Sequence, residues 1–159
     1  MTRIGVTGHR RFDHPERARQ AAQRVVAGCD PPLELWTSLA DGADGLLVDV
    51  VRAVDPAARL VVVLPLAPHD YRADFDADSA AEFDELLATA DEVHTVTPQR
   101  TREAAYAAAG MAVVDAVDVL VAVWDGAPAR GHGGTAEIVQ AARTRGREVA
   151  VIPVTRAAT

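Results

Sequence analysis

The chain has 159 residues, the length of one ordinary domain, and 49 % of them are hydrophobic, enough for a real core and too many for a disordered or fibrous chain. The formal net charge is −7, and the basic residues, all arginine, are spread out apart from Arg10-Arg11 and Arg143-Arg145-Arg147. Non-specific nucleic-acid binding needs clustered positive charge and is therefore disfavoured, while a local basic groove stays open.

The single cysteine, Cys29, allows no intrachain disulfide, and no Cys/His cluster has zinc-ligand spacing. The five histidines are scattered, so no metal and no cofactor is expected. The N-terminus lacks a signal-peptide core and no apolar run spans a bilayer. A cytoplasmic protein without membrane attachment is expected.

The pattern predicts a first strand at 3–7, "RIGVT". A helix over 15–28 follows, with Pro15 in its first turn and Gly28 near its end. A strand at 33–39, "LELWTSL", precedes a helix at 43–54, with Leu46, Leu47, Val50, Val51 and Val54 at helical spacing. The run "RLVVVLPL" at 59–66 reads as a strand buried on both faces. A helix at 79–90, a short strand at 92–96 and a helix at 101–115 come next. A strand at 117–123, a helix at 134–146 and a strand at 148–154 complete the chain. Two irregular stretches are expected, at 66–78 and 124–133.

Strand–helix alternation of this kind predicts one α/β domain over residues 1–159, a three-layer Rossmann-like fold. Its mostly parallel sheet carries helices on both faces. In such a sheet, ligands bind outside the carboxyl ends of the strands. Four segments fall on that edge: Gly8-His9-Arg10-Arg11, "SLADGAD" at 38–44, "LPLAPHDY" at 64–71 and "WDGAPARGHGGT" at 124–135. Gly8 reads as a tight turn or as a point of ligand approach. His9 and Arg10 sit at a strand mouth, where an arginine can grip phosphate or carboxylate. Ser38 opens the second segment. Asp41 reads first as a helix cap, and Gly42 as a point of close backbone approach. Tyr71 and Phe75 pack either as core or as a lid. Asp125 is the polar residue beside Trp124.

The segment "GHGGTAEIV" at 131–139 runs glycines into a helix start. Unpaired backbone N–H groups and the helix dipole favour an anion there. Gly131, Gly133, Gly134 and Thr135 are therefore candidate phosphate contacts. Glu137 is either a catalytic carboxylate or a first-turn glutamate at the capping-box position. The pattern is neither a P-loop nor the dinucleotide fingerprint.

"GVTGHRRF", "SLADGAD", "LPLAPHDYRADF" and "AVWDGAPARGHGGTAEIVQAAR", over about residues 3–153, resemble bacterial stand-alone members of the SLOG superfamily. That superfamily groups LOG-type nucleotide phosphoribohydrolases, the DNA-processing protein DprA and nucleotide-sensing modules; molybdenum-cofactor carrier proteins are similar in fold. Ser38–Asp44 resembles the DprA motif "SGLARGID", with Leu39 and Asp41 standing where that motif has glycine and arginine. Gly133-Gly134-Thr135-Ala136-Glu137 resembles the LOG motif "PGGxGTxxE", with the glutamate two residues after the threonine instead of three.

The resemblance implies a nucleotide or phosphorylated small molecule as ligand, held by a sensor, carrier or binding module. The alternative is a hydrolase of the nucleotide N-glycosidic bond, a phosphoribohydrolase, using Glu137 with Asp125 in reserve. A DprA-like single-strand DNA binder ranks third. Small residues in "AAYAAAGMAVV" suit either a buried helix or a homo-oligomer.

Overall fold

The structure, a computed structural model, describes residues 1–128 and 134–157. The elements in chain order are β1 (Thr2–Gly8), α1 (Pro15–Ala27), β2 (Leu33–Thr37), α2 (Ala43–Val54), β3 (Arg59–Leu64), α3 (Pro68–Arg72), α4 (Ala77–Ala88), β4 (Glu92–Thr95), α5 (Arg102–Ala116), β5 (Val119–Trp124), α6 (Thr135–Thr144) and β6 (Glu148–Pro153). The strands form one sheet in the order β4-β3-β2-β1-β5-β6, and every neighbouring pair is parallel. This is the three-layer Rossmann-like α/β arrangement.

The strand sequences explain the layers. Side chains alternate along a strand, so a strand covered on both faces must be apolar throughout. In β3, Leu60, Val62 and Leu64 join a core cluster with α1, α2 and Phe83 of α4, while Val63 joins Ala109 and Val113 of α5 on the other face. In β5, Val119, Val121 and Val123 take the first face, and Leu120 packs with Val114, Ile138 and Ala142 of α5 and α6 on the second. Gly5 in β1 faces α5, and a Cβ there would lie 2.8 Å from Val113 Cγ1. The missing side chain lets α5 sit close to the central strand.

Most element boundaries shift by one or two residues from the sequence-based expectation, and four departures have a plain local reason. The strand expected at 33–39 stops at Thr37, because the Ser38 N–H donates to the Asp44 carboxylate and Leu39 adopts φ 54. The strand expected at 59–66 stops at Leu64, ahead of Pro65 and the new helix α3. That helix, started by Pro68, lies within the expected irregular stretch 66–78. The helix expected from 79 starts at Ala77, capped by the Asp76 carboxylate accepting from the Ser79 N–H at 2.8 Å. Among the described residues, no helix is long and apolar enough to cross a membrane.

Candidate functional site

The chain builds outward from β1 through β2, β3 and β4, then returns to lay β5 and β6 on the other side of β1. The order therefore reverses between β1 and β5, and a crevice opens at their carboxyl ends. A cleft of about 480 Å³ lies there, within the usual range for small-molecule sites. All four segments expected at this edge contribute to it: Gly8, His9 and Arg10, then Ser38 and Asp44, then Tyr71, then Asp125, Gly134 and Thr135.

Gly8 is fixed by packing. A Cβ there would meet Val123 O at 2.6 Å and Ala43 Cβ at 2.7 Å, so β5 and the start of α2 both press on it. The next residue, His9, turns its largely buried side chain into the cleft, and its Nε2 lies 3.2 Å from Asp125 Oδ1. The same Nε2 lies 3.2 Å from the Asp125 backbone N–H donor. Asp125 Oδ1 also accepts from the Ala127 N–H at 2.9 Å, which closes the turn after β5.

Arg10 is positioned from two sides. Its Nε lies 3.5 Å from Asp41 Oδ1, and its guanidinium sits 5.2 Å from the Phe75 ring centroid. The first contact is an ion pair without hydrogen-bond geometry, since Asp41 Oδ1 has no hydrogen bond among the described residues. The other carboxylate oxygen of Asp41 accepts from Ser79 Oγ at 3.3 Å. Asp41 is thus not the cap expected for α2. The N-cap is Gly42, whose φ of 78 suits glycine, and a Cβ there would fall 2.2 Å from the Arg10 carbonyl oxygen. Asp41 and Gly42 lie behind the cleft wall, holding Arg10, and are not among the residues that line it.

Asp44 takes the buried place in the "SLADGAD" segment. Its Oδ2 accepts from Thr37 Oγ1 at 2.6 Å and from the Ser38 N–H at 3.2 Å. Burial pushes its pKa up to about 6, against the opposing pull of Thr37, the backbone amides of Ser38 and Ala40, and Arg10. It ties the first turn of α2 to the end of β2 and touches the cleft.

Tyr71, 2 % exposed, is wedged edge-on between Phe75, Phe83 and Tyr106 and forms part of the cleft wall. It is packed as core, and burial pushes its phenol pKa up, so the hydroxyl keeps its proton. Phe75 is partly buried in the same cluster.

At the remaining wall, Gly134 is the N-cap of α6 and Thr135 its first residue, and both line the cleft. Gly131 and Gly133 lie outside the described residues. Glu137 falls in the first turn of α6, as the capping pattern requires. Its neighbours Ala136 and Ile138 line the cleft, and Glu137 does not.

No family model and no curated protein matches the sequence. Solved structures do. DNA processing protein A (DprA) from Streptococcus pneumoniae superposes with a TM-score of 0.65 at 17% identity, over 96% of this chain and 50% of that one. The two chains share the Rossmann-like α/β fold. The protein TM1055 matches more distantly, with a TM-score of 0.53 at 13% identity, over 94% of this chain and 72% of that one. At these identities the likeness is one of fold, and this chain spans half the length of the DprA chain.

Within this fold, three contributions to the cleft escape the sequence reading. Asp44 stood in a quoted motif at a helix first turn, and that position was a usable signal. Tyr106 and Gly110 reach the cleft from α5, where only the crossing of α5 over β1 brings them. Arg156 and Ala157 arrive because the segment after β6 pairs with the β1–α1 loop, through an antiparallel bridge of Phe12 with Arg156. The Ala157 N–H donates to the Arg11 carbonyl at 3.2 Å. No local pattern encodes that contact.

Proposed function

We propose that the protein binds a nucleotide or a nucleotide-derived phosphate ligand in the cleft between β1 and β5, as a sensor, carrier or binding module. One observation carries the reading. The N-terminus of α6, with Gly134 and Thr135, and the Gly8-His9-Arg10 turn line a single cleft at the point where the strand order reverses. A helix start offers unpaired N–H donors and a positive dipole end to a phosphate. Arg10 supplies full positive charge from another wall, already oriented by Asp41 and Phe75. The solved structures of similar fold support the α/β frame on which the cleft stands.

The test is a thermal-shift and calorimetry panel of nucleoside mono-, di- and cyclic phosphates and ADP-ribose derivatives. Saturable binding by at least one of them is expected. A panel without heat or shift refutes the reading.

Hydrolysis of a nucleotide N-glycosidic bond is the second reading, favoured by the His9–Asp125 pair inside the cleft. A carboxylate beside an imidazole is a candidate proton-transfer unit. Release of free base from nucleoside monophosphates is the required result. Loss of that release in Asp125→Asn assigns the step to Asp125, and loss in Glu137→Gln assigns it to Glu137. No release by the unsubstituted protein leaves binding alone.

A further inference from the structure

The segment after β6 forms a strap between two walls of the cleft. The Val154 N–H donates to the Trp124 carbonyl at the end of β5, at 3.2 Å. The chain then crosses to the turn between β1 and α1. There the Asp13 N–H donates to the Thr155 carbonyl at 2.8 Å and the Ala157 N–H to the Arg11 carbonyl at 3.2 Å, around the antiparallel bridge of Phe12 with Arg156. Backbone bonds alone hold the strap in place.

The strap brings a charge with it. Residues opposed in an antiparallel pair project from the same face. Phe12 packs against the core, so Arg156 projects from the protein side of the strap, and it lines the cleft together with Arg11. The Arg156 guanidinium makes no ion pair and no hydrogen bond among the described residues.

Among the described residues, the cleft lining sets three arginines, Arg10, Arg11 and Arg156, against two carboxylates, Asp44 and Asp125. Both carboxylates are engaged: Asp44 accepts from Thr37 and Ser38, and Asp125 meets His9 and the Ala127 N–H. Arg10 faces Asp41. Arg11 faces Asp76 at 3.4 Å, in a pair more than half exposed on both sides. An exposed pair of this kind is weak, and the arginine is available to a better anion. Arg156 has no carboxylate to give up. A wall of arginines with donors unspent is complementary to phosphate oxygens.

This wall is distinct from the α6 cradle. The turn that carries Arg11 leads into α1, on one face of the sheet, while α6 packs on the other face. A phosphate at Gly134 and Thr135 occupies one side of the crevice and leaves Arg11 and Arg156 to a further phosphate.

We propose that Arg156 and Arg11 form an anion subsite for a second phosphate, and that the ligand is a nucleoside diphosphate or longer polyphosphate instead of a monophosphate. The inference rests on the binding reading above and specifies its ligand class.

Calorimetry of the full chain without added divalent metal tests it, with adenosine and guanosine 5′-mono-, di- and triphosphates as probes. For at least one base, the diphosphate is expected to bind at least about tenfold more tightly than the monophosphate, as hydrogen bonds to a charged group imply. Arg156→Gln and Arg11→Gln each bring that ratio down toward one and leave monophosphate affinity nearly unchanged. Arg156→Gln keeps the backbone bonds of the strap, so its ligand-free melting temperature stays that of the parent.

Equal binding of mono- and diphosphates overturns the subsite, as does an undiminished ratio in Arg156→Gln. A variant in which mono- and diphosphate affinities fall together overturns it too, because the side chain then serves the cleft as a whole. Each of those results leaves nucleotide binding standing. Failure of the unsubstituted protein to bind any probe in this and the wider panel refutes both.

Discussion

His9 and Asp125 meet across the seam between β1 and β5, with Nε2 3.2 Å from both the carboxylate and the backbone nitrogen of the aspartate. The imidazole therefore has a partner in either state. An unprotonated Nε2 accepts from the Asp125 N–H, and a protonated Nε2 donates to the carboxylate. The Ala127 N–H on the same carboxylate oxygen holds that oxygen in place. Asp125→Ala removes the side-chain contacts to His9 and to the Ala127 N–H and is expected to destabilise the fold by about 1–3 kcal/mol in urea denaturation. Asp125→Asn retains an acceptor for Ala127 and should lose less. Equal losses in the two variants would show that charge, not the turn, is what matters.

Asp44 predicts a pH dependence. Its folded pKa, raised by burial to about 6, stands above the ordinary 3.8. Between these values the folded state keeps a proton that the unfolded state has released. Stability contributed by this group is present below pH 4 and falls as pH rises toward 6, by roughly 3 kcal/mol for about two pK units. Asp44→Asn should abolish that slope in denaturation curves measured from pH 4 to 7. Asp44→Ala strands the Thr37 hydroxyl and the Ser38 amide and should cost about 2–4 kcal/mol. A slope that persists in Asp44→Asn belongs to another group.

Gly42 combines a positive φ with a carbonyl oxygen 2.2 Å from where a Cβ would stand. Neither the Arg10 backbone nor the turn can yield cheaply. Gly42→Ala is expected to cost at least about 3 kcal/mol, from strain at φ 78 and displacement of the Arg10 backbone. It should also weaken ligand binding, because the displaced turn carries Arg10. A melting temperature within a degree or two of the parent would contradict the geometry.

Thr135 stands at the first position of α6, on the cleft wall. If its hydroxyl meets the phosphate, Thr135→Val lowers nucleotide affinity about fivefold, the value of one neutral hydrogen bond of about 1 kcal/mol. Isothermal titration with the best nucleotide of the panel measures it. Unchanged affinity removes the side chain from the site, with the backbone amides of the helix start still available.

The sequence by itself determined the sheet and the edge at which the cleft opens. Apolar strands such as "RLVVVL" can be stable only between two layers of helices, and the glycines and odd polar residues of 8–11, 38–44 and 124–135 follow strand ends in the chain. What the tertiary structure decided was how those residues share the work, since that depends on partners far apart in sequence. Asp41 was legible as a polar residue ahead of a helix. Its role came from Arg10, 31 positions earlier, and from Ser79, 38 positions later. Asp44 took the buried hydrogen bonds because the chain turns sharply after Thr37. Tyr71 became a cleft wall because Phe83 and Tyr106 close behind it, and Arg156 reached the rim only through its bridge to Phe12. Local periodicity fixes which face of an element is apolar, but long-range packing fixes which polar group is left without a partner.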